Sequence, residues 1–185
     1  MSPSTFWVRG ILHPIVEGAD PYGNAICPNE LEGAVEMLEG KPVYFEHTHE
    51  FPIGKCKHVE YNPEHGILAT CEIPLDGPYA MQVARGVWEG KFTGFSFGGA
   101  PLVIKTPAGP AVIAIKPLEA SVVETPGIDG ALVYKCGFLT EDGKTYSEKR
   151  LSDAVLCSTA GSNPLIAKEI TTTELPPCLQ VPSSV

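Results

Sequence analysis

The sequence predicts an α+β protein that is mainly β: a mixed or antiparallel, barrel-like sheet with a few flanking helices. Three observations lead there. Glycine and proline number 19 and 18 among 185 residues, a density that suits many short strands and tight turns better than long helices. Five or more segments read as strands, against two that read as short helices. Strands and helices do not alternate in regular βαβ order, which argues against a doubly wound parallel sheet.

The elements follow in chain order. Residues 5–12, Thr-Phe-Trp-Val-Arg-Gly-Ile-Leu, read as a first strand. Residues 13–28 hold Pro14, Pro21 and Pro28 together with Gly18, Gly23 and Asn24, and read as a loop. Asn29 is placed to cap a short helix ending near Leu38, because Leu31, Ala34, Val35 and Leu38 recur at steps of three and four. Gly40 ends that helix and Pro42 forbids its continuation. Val43, Tyr44 and Phe45 open a second strand, expected to run on through His47. Residues 53–61 and 66–73 form a hairpin about Asn62-Pro63-Glu64-His65-Gly66. Residues 79–89 make a second helix stopped by Gly90. Residues 91–103 and 111–124 are two further strands joined by Thr106-Pro107-Ala108-Gly109-Pro110, with Pro117 marking a bulge or an edge. Residues 131–134 give one more short strand. Beyond Cys136 the pattern fades, so residues 1–138 are expected to form the domain. Residues 139–185 then form a C-terminal extension, partly irregular or disordered.

Charge and composition narrow the function. The net charge is −9, from 13 basic and 22 acidic residues, with no basic run, so neither nucleic acid nor an anionic membrane is an expected partner. No apolar run reaches membrane-spanning length. The six cysteines (Cys27, Cys56, Cys71, Cys136, Cys157 and Cys178) form no CxxC pair. No basic-then-apolar leader is visible at the N-terminus, and both features suit reduced thiols in a cytosolic compartment.

Three separated segments carry polar residues in strand-like surroundings: His47 in Phe45-Glu46-His47-Thr48-His49-Glu50-Phe51-Pro52-Ile53-Gly54, Ser96 in Thr93-Gly94-Phe95-Ser96-Phe97-Gly98-Gly99, and Glu119 in Leu118-Glu119-Ala120-Ser121-Val122-Val123. A base, a nucleophile and an orienting acid are what acyl transfer at a serine needs. On a strand, His47 and His49 would share one face, with Glu46, Thr48 and Glu50 on the other. Glycines on either side of Ser96 leave room for a substrate backbone above the hydroxyl. Glu119 would share a face with Ser121. Each residue alone has an ordinary structural reading: a core histidine, a serine in a tight strand crossing, a solvated carboxylate.

Together the segments resemble the prohead (capsid maturation) proteases of tailed bacteriophages, which are related to the herpesvirus capsid protease, assemblin. The likeness rests on the seven-residue step from His47 to Gly54 in Ile53-Gly54, on Gly94-Phe95-Ser96 after a helix that ends in a glycine turn, and on Leu118-Glu119-Ala120-Ser121-Val122-Val123 followed by Pro126. It spans residues 5–135. It implies a barrel-like sheet with surrounding helices, often a dimer. It also implies a serine endopeptidase that cleaves scaffold and major capsid protein extensions, and often itself. His47 is then the base, Ser96 the nucleophile and Glu119 the third member. No cofactor and no metal are called for. The implied setting is the host cytoplasm, in the interior of the viral procapsid.

The sequence departs from the herpesvirus enzymes after Glu119. Thr125-Pro126-Gly127-Ile128 carries no arginine, which puts the Gly127 backbone N–H forward as the oxyanion donor. Two rival readings stand beside this one. The first is a metal-dependent hydrolase built on His47, His49 and either His58 or Cys56. The second is a non-catalytic capsid-associated β-domain. Small-residue junctions such as Thr159-Ala160-Gly161-Ser162 are places where the tail would be self-cleaved.

Overall fold

The computed structural model describes residues 2–18, 20, 21, 23, 26, 28–107 and 109–152. Cys27, Cys157, Cys178 and the Thr159-Ala160-Gly161-Ser162 junction lie outside the described residues. The elements are β1 (Pro3–His13), α1 (Pro28–Leu38), β2 (Pro42–Phe45), β3 (Gly54–Asn62), β4 (Gly66–Pro74), α2 (Ala80–Trp88), β5 (Gly94–Thr106), β6 (Gly109–Val123), β7 (Val133–Thr140) and β8 (Thr145–Arg150).

The strands form one eight-stranded sheet in the order β5-β6-β2-β3-β4-β1-β7-β8. Every pairing is antiparallel except β2 with β6, which is parallel. The sheet bends round far enough for Gly94, at the start of β5, to bridge Leu132 just before β7, but it does not close. The expected mainly-β class with flanking helices therefore holds, with an open mixed sheet in place of a barrel.

Alternation drives this arrangement. Along β1, Phe6, Val8, Gly10 and Leu12 are buried while Trp7, Arg9 and Ile11 between them are half-exposed. β4, flanked by β3 and β1, buries Ile67, Leu68, Ala69, Cys71 and Ile73. Helix α1 lays Leu31, Ala34 and Leu38 against β6, β3 and β4, as its three-and-four spacing predicted. Burying a side chain the size of leucine stabilises by about 1.5–3 kcal/mol. Trp88 at the end of α2 meets Phe138 of β7 at 5.4 Å between ring centroids, tying that helix to the far side of the sheet. Gly40 and Gly90 follow the helices with φ of 79° each, the left-handed stop their positions called for.

Gly54 is required by packing. A Cβ there would stand 2.1 Å from the Glu72 carbonyl oxygen, so only glycine lets β3 begin against β4 while also pairing with Val43.

Three expectations need correcting. The second strand ends at Phe45, so His47 does not lie on it. Residues 139–150, assigned to the extension, are instead the end of β7 and the whole of β8, and Thr145–Arg150 pairs along β7. The last described elements thus carry the sheet past residue 138. Finally, residues 91–93 precede β5 and are not part of it.

Candidate active site

Hairpin β5–β6 places two members of the site, Ser96 and Glu119, diagonally across from each other. In the antiparallel register Ser96 pairs with Ser121 and Gly98 with Glu119. Directly opposed residues share a sheet face, so Ser96, Gly98, Glu119 and Ser121 face the same way. A register shift between Gly98 and Gly99 leaves Leu118 outside the pairing, beside Pro117 where a bulge was expected. On the other side of β6, the parallel strand β2 puts Tyr44 level with Ser121.

The chain leaves β2 in a tight turn. Glu46 and His47 both take left-handed backbone angles, with φ of 50° and 54°. Two consecutive non-glycine residues in this region cost roughly 1–3 kcal/mol each, so neighbouring bonds must hold them. They are held: the Glu46 N–H donates to the Val122 carbonyl at 3.0 Å, and the Glu124 N–H donates to the Glu46 carboxylate at 2.6 Å. The Thr48 N–H and hydroxyl both donate to the Phe45 carbonyl, at 3.0 and 2.5 Å. Extended backbone would have alternated the two histidines on one strand face. The turn instead swings the His47 imidazole back over β6.

There the three residues meet. His47 Nδ1 lies 2.7 Å from Glu119 Oε1, and His47 Nε2 lies 3.0 Å from Ser96 Oγ. The second oxygen of Glu119 accepts a 2.7 Å hydrogen bond from the Ser121 hydroxyl. Glu119 is 2% exposed, whereas the His47 side chain is 41% exposed. Burial alone would push the Glu119 carboxyl up, but the bonds from His47 and Ser121 outweigh it and hold the carboxyl below its ordinary 4.5. The hydrogen bond to Glu119 raises the His47 imidazole above its ordinary 6.5, against the opposing effect of partial burial. An ionised carboxylate only accepts, so Nδ1 carries the proton and Nε2 is free to accept from the Ser96 hydroxyl.

Gly98 makes room for this. A Cβ at that position would stand 2.3 Å from Glu119 Oε1, so any larger residue displaces the carboxylate. Gly127 borders the same cleft as His47 and Ser96, a hollow of about 300 Å³ with apolar walls that include Leu12, Ile115 and Ile128. At its edge sits His13, 4% exposed, whose Nδ1 lies 2.7 Å from the Pro14 carbonyl. Desolvation holds His13 below the ordinary histidine value, against its bond to the Pro14 carbonyl.

The other proposed metal ligands do not join. Cys56 is buried with its sulfur 3.6 Å from that of Cys71, and exposed His58 pairs with Glu60 at 3.6 Å. His49 does approach: its ring stacks on Tyr44 at 5.1 Å, and its ligand atom falls within 4.8 Å of those of His47 and Glu119. The sequence reading missed four contributors: Glu46, Gly98 as a steric necessity, His13 and the Ser121 hydroxyl. Ser121 left a signal in the shared face expected for it with Glu119, and Gly98 left one as a glycine that opens the space above Ser96.

The sheet, its strand order and its two helices define the class: this is the herpesvirus-protease fold. One solved structure of that fold is the KSHV protease in complex with a hexapeptide phosphonate inhibitor. It superposes with a TM-score of 0.51 at 14% sequence identity over 72% of this chain. The match covers 64% of the KSHV protein, so the chain spans less than two thirds of its length. No family model matches the sequence, and no curated protein does.

Proposed function

We propose that this chain is a serine endopeptidase of the prohead type, which cleaves scaffold and major capsid protein extensions inside an immature viral shell, and its own tail. The observation that carries the proteolytic reading is the continuous hydrogen-bonded line from Ser96 Oγ through both ring nitrogens of His47 to buried Glu119. The viral role rests on the sequence resemblance. The likeness in fold to a protease that takes a hexapeptide phosphonate is consistent with a peptide substrate.

The hydrogen-bonded line supports this mechanism. His47 Nε2 takes the Ser96 proton as Oγ bonds to the scissile carbonyl carbon, and the carbonyl oxygen becomes an oxyanion. The Gly127 N–H is the donor assigned to that oxyanion. Glu119 keeps the proton of Nδ1 in place and stabilises the imidazolium. His47 then gives its proton to the departing amine, leaving an acyl-enzyme. Water, deprotonated by the same imidazole, displaces Ser96 Oγ and releases the acid. The substrates lie in the procapsid interior, within the host cytoplasm, and the working form is a homo-oligomer.

Fluorophosphonate labelling tests the chemistry. The full chain should be labelled at Ser96, and Ser96→Ala and His47→Ala should not be. Incubation with a scaffold protein should yield cleavage that Ser96→Ala loses by several orders of magnitude. Undiminished processing by Ser96→Ala overturns the assignment.

A further inference from the structure

His49 has no part in the serine mechanism, yet it sits beside it. The Glu46–Glu50 turn brings its ring onto Tyr44, the β2 residue level with Ser121. One ligand atom each from His47, His49 and Glu119 lies within 4.8 Å of the others. Two imidazoles and a carboxylate are a recognised donor set for zinc. The carboxylate is 2% exposed and the His47 side chain 41% exposed, so the set combines a buried anion with an opening to solvent. The ligand atoms around a tetrahedral zinc ion stand roughly 3.3 Å apart, given bonds of ~2.0–2.2 Å. Exposed His49 supplies the movement needed: the bonds that pin its turn are at Glu46, Thr48 and Phe45, and its own ring rests on Tyr44 by stacking.

We propose that His47, His49 and Glu119 form an inhibitory Zn²⁺ site that competes with the serine reaction for the same two residues. This goes beyond the proposed peptidase activity, and its inhibitory half rests on that reading. A nitrogen bonded to zinc has no lone pair for the Ser96 proton. A carboxylate oxygen bonded to zinc no longer holds the His47 Nδ1 proton. If zinc binds through Nδ1, the ring takes its other tautomer: Nδ1 gives up its proton to solvent and Nε2 takes one up, so Nε2 has no lone pair left for Ser96. No oxidation change and no covalent step is involved. The ion silences Ser96 by occupying its base, and a chelator returns the base to it.

The test uses the full chain. Co²⁺ titration followed by its tetrahedral visible absorption reads the site without any activity. Fluorophosphonate labelling, with and without Zn²⁺, reads the inhibition. The expected result is one ion per chain, labelling slowed at least tenfold by Zn²⁺, and recovery on adding EDTA. In His49→Ala, affinity for the ion should fall at least tenfold, and labelling, measured against that variant's own metal-free rate, should no longer respond to Zn²⁺. Equal inhibition of His49→Ala, or no tetrahedral Co²⁺ spectrum in the wild type, overturns the proposal. Zn²⁺-dependent hydrolysis that persists in Ser96→Ala also overturns it, in favour of a metal hydrolase. If Ser96 fails to label even in EDTA, the peptidase reading and the inhibition fall together, and the Co²⁺ titration decides the ion site on its own.

Discussion

The Glu46 carboxylate accepts the Glu124 N–H at 2.6 Å, and this bond joins the turn that holds His47 to the segment that leads into Pro126 and Gly127. Glu46 also donates its own N–H to Val122, so the strained turn is pinned to the end of β6 twice. His47, the proposed base, and the segment of Gly127, the proposed oxyanion donor, are thereby tied together through Glu46. Glu46→Ala should slow Ser96 labelling roughly tenfold, taking about 1.4 kcal/mol for an exposed charge-assisted hydrogen bond. Glu46→Gln keeps an acceptor and should restore most of the rate. A wild-type rate in Glu46→Ala would show that the turn holds without the bond.

Gly98 offers a steric test. In Gly98→Ala the new methyl would meet Glu119 Oε1 at 2.3 Å, in a site where the carboxylate is already enclosed. The variant should fold, because Gly98 is half-exposed at the rim of the cleft, and should label at least tenfold more slowly. Circular dichroism alongside labelling separates the two effects. Normal labelling would place the working carboxylate elsewhere.

Ser121 is fully buried, and its hydroxyl satisfies Glu119 Oε2. Ser121→Ala leaves a buried carboxylate oxygen without a partner, at a cost of about 1–3 kcal/mol. It also removes one of the bonds that lower the Glu119 carboxyl, so that group should titrate higher than in the wild type. Denaturant melts at neutral pH measure the first effect. Carbon-13 shifts of the Glu119 carboxyl measure the second, and an unchanged titration would mean the hydroxyl does not reach it.

The dependence on pH has a definite sign. Only neutral His47 can accept the Ser96 proton, and its value is raised above 6.5, so labelling in chelator should rise with pH through a midpoint above 6.5. Removing the charge in Glu119→Gln takes away the main cause of the increase, and the midpoint should move down. Stability runs the opposite way for the two partners. The raised His47 contributes stability that is complete below 6.5 and lost as pH rises through its folded value. The depressed Glu119 contributes stability present above 4.5 and lost as pH falls through its folded value. A labelling midpoint below 6.5 in the wild type would contradict the bond between them.

Much of this was legible because apolar alternation and glycine stops are local signals. Strands β1, β3, β4, β5 and β6 and both helices lie within a few residues of where the sequence puts them. Strand β8 was not legible: Thr-Tyr-Ser-Glu-Lys-Arg buries only Ser147 strongly, and an edge strand that faces water carries no apolar period. The turn at Glu46 and His47 was hidden for another reason. Positive φ is normally announced by Gly, Asn or Asp, and Glu-His-Thr-His-Glu contains none of them. The order His, Ser, Glu was readable from the segments. That the three side chains converge depends on the parallel β2–β6 pairing, a contact between residues some 77 positions apart, such as Val43 and Ala120.

The same topology sets a clock on the molecule. Strand β1 needs both β4 and β7 as neighbours, and Gly94 needs Leu132. The partners of His47 lie 49 and 72 residues further along. Such long-range pairings form slowly and late. A chain emerging from the ribosome therefore has no proton acceptor beside Ser96 until β6 is complete, and no finished sheet until β7 and β8 follow. The line from Ser96 through His47 to Glu119 is thus completed only after most of the sheet has been translated.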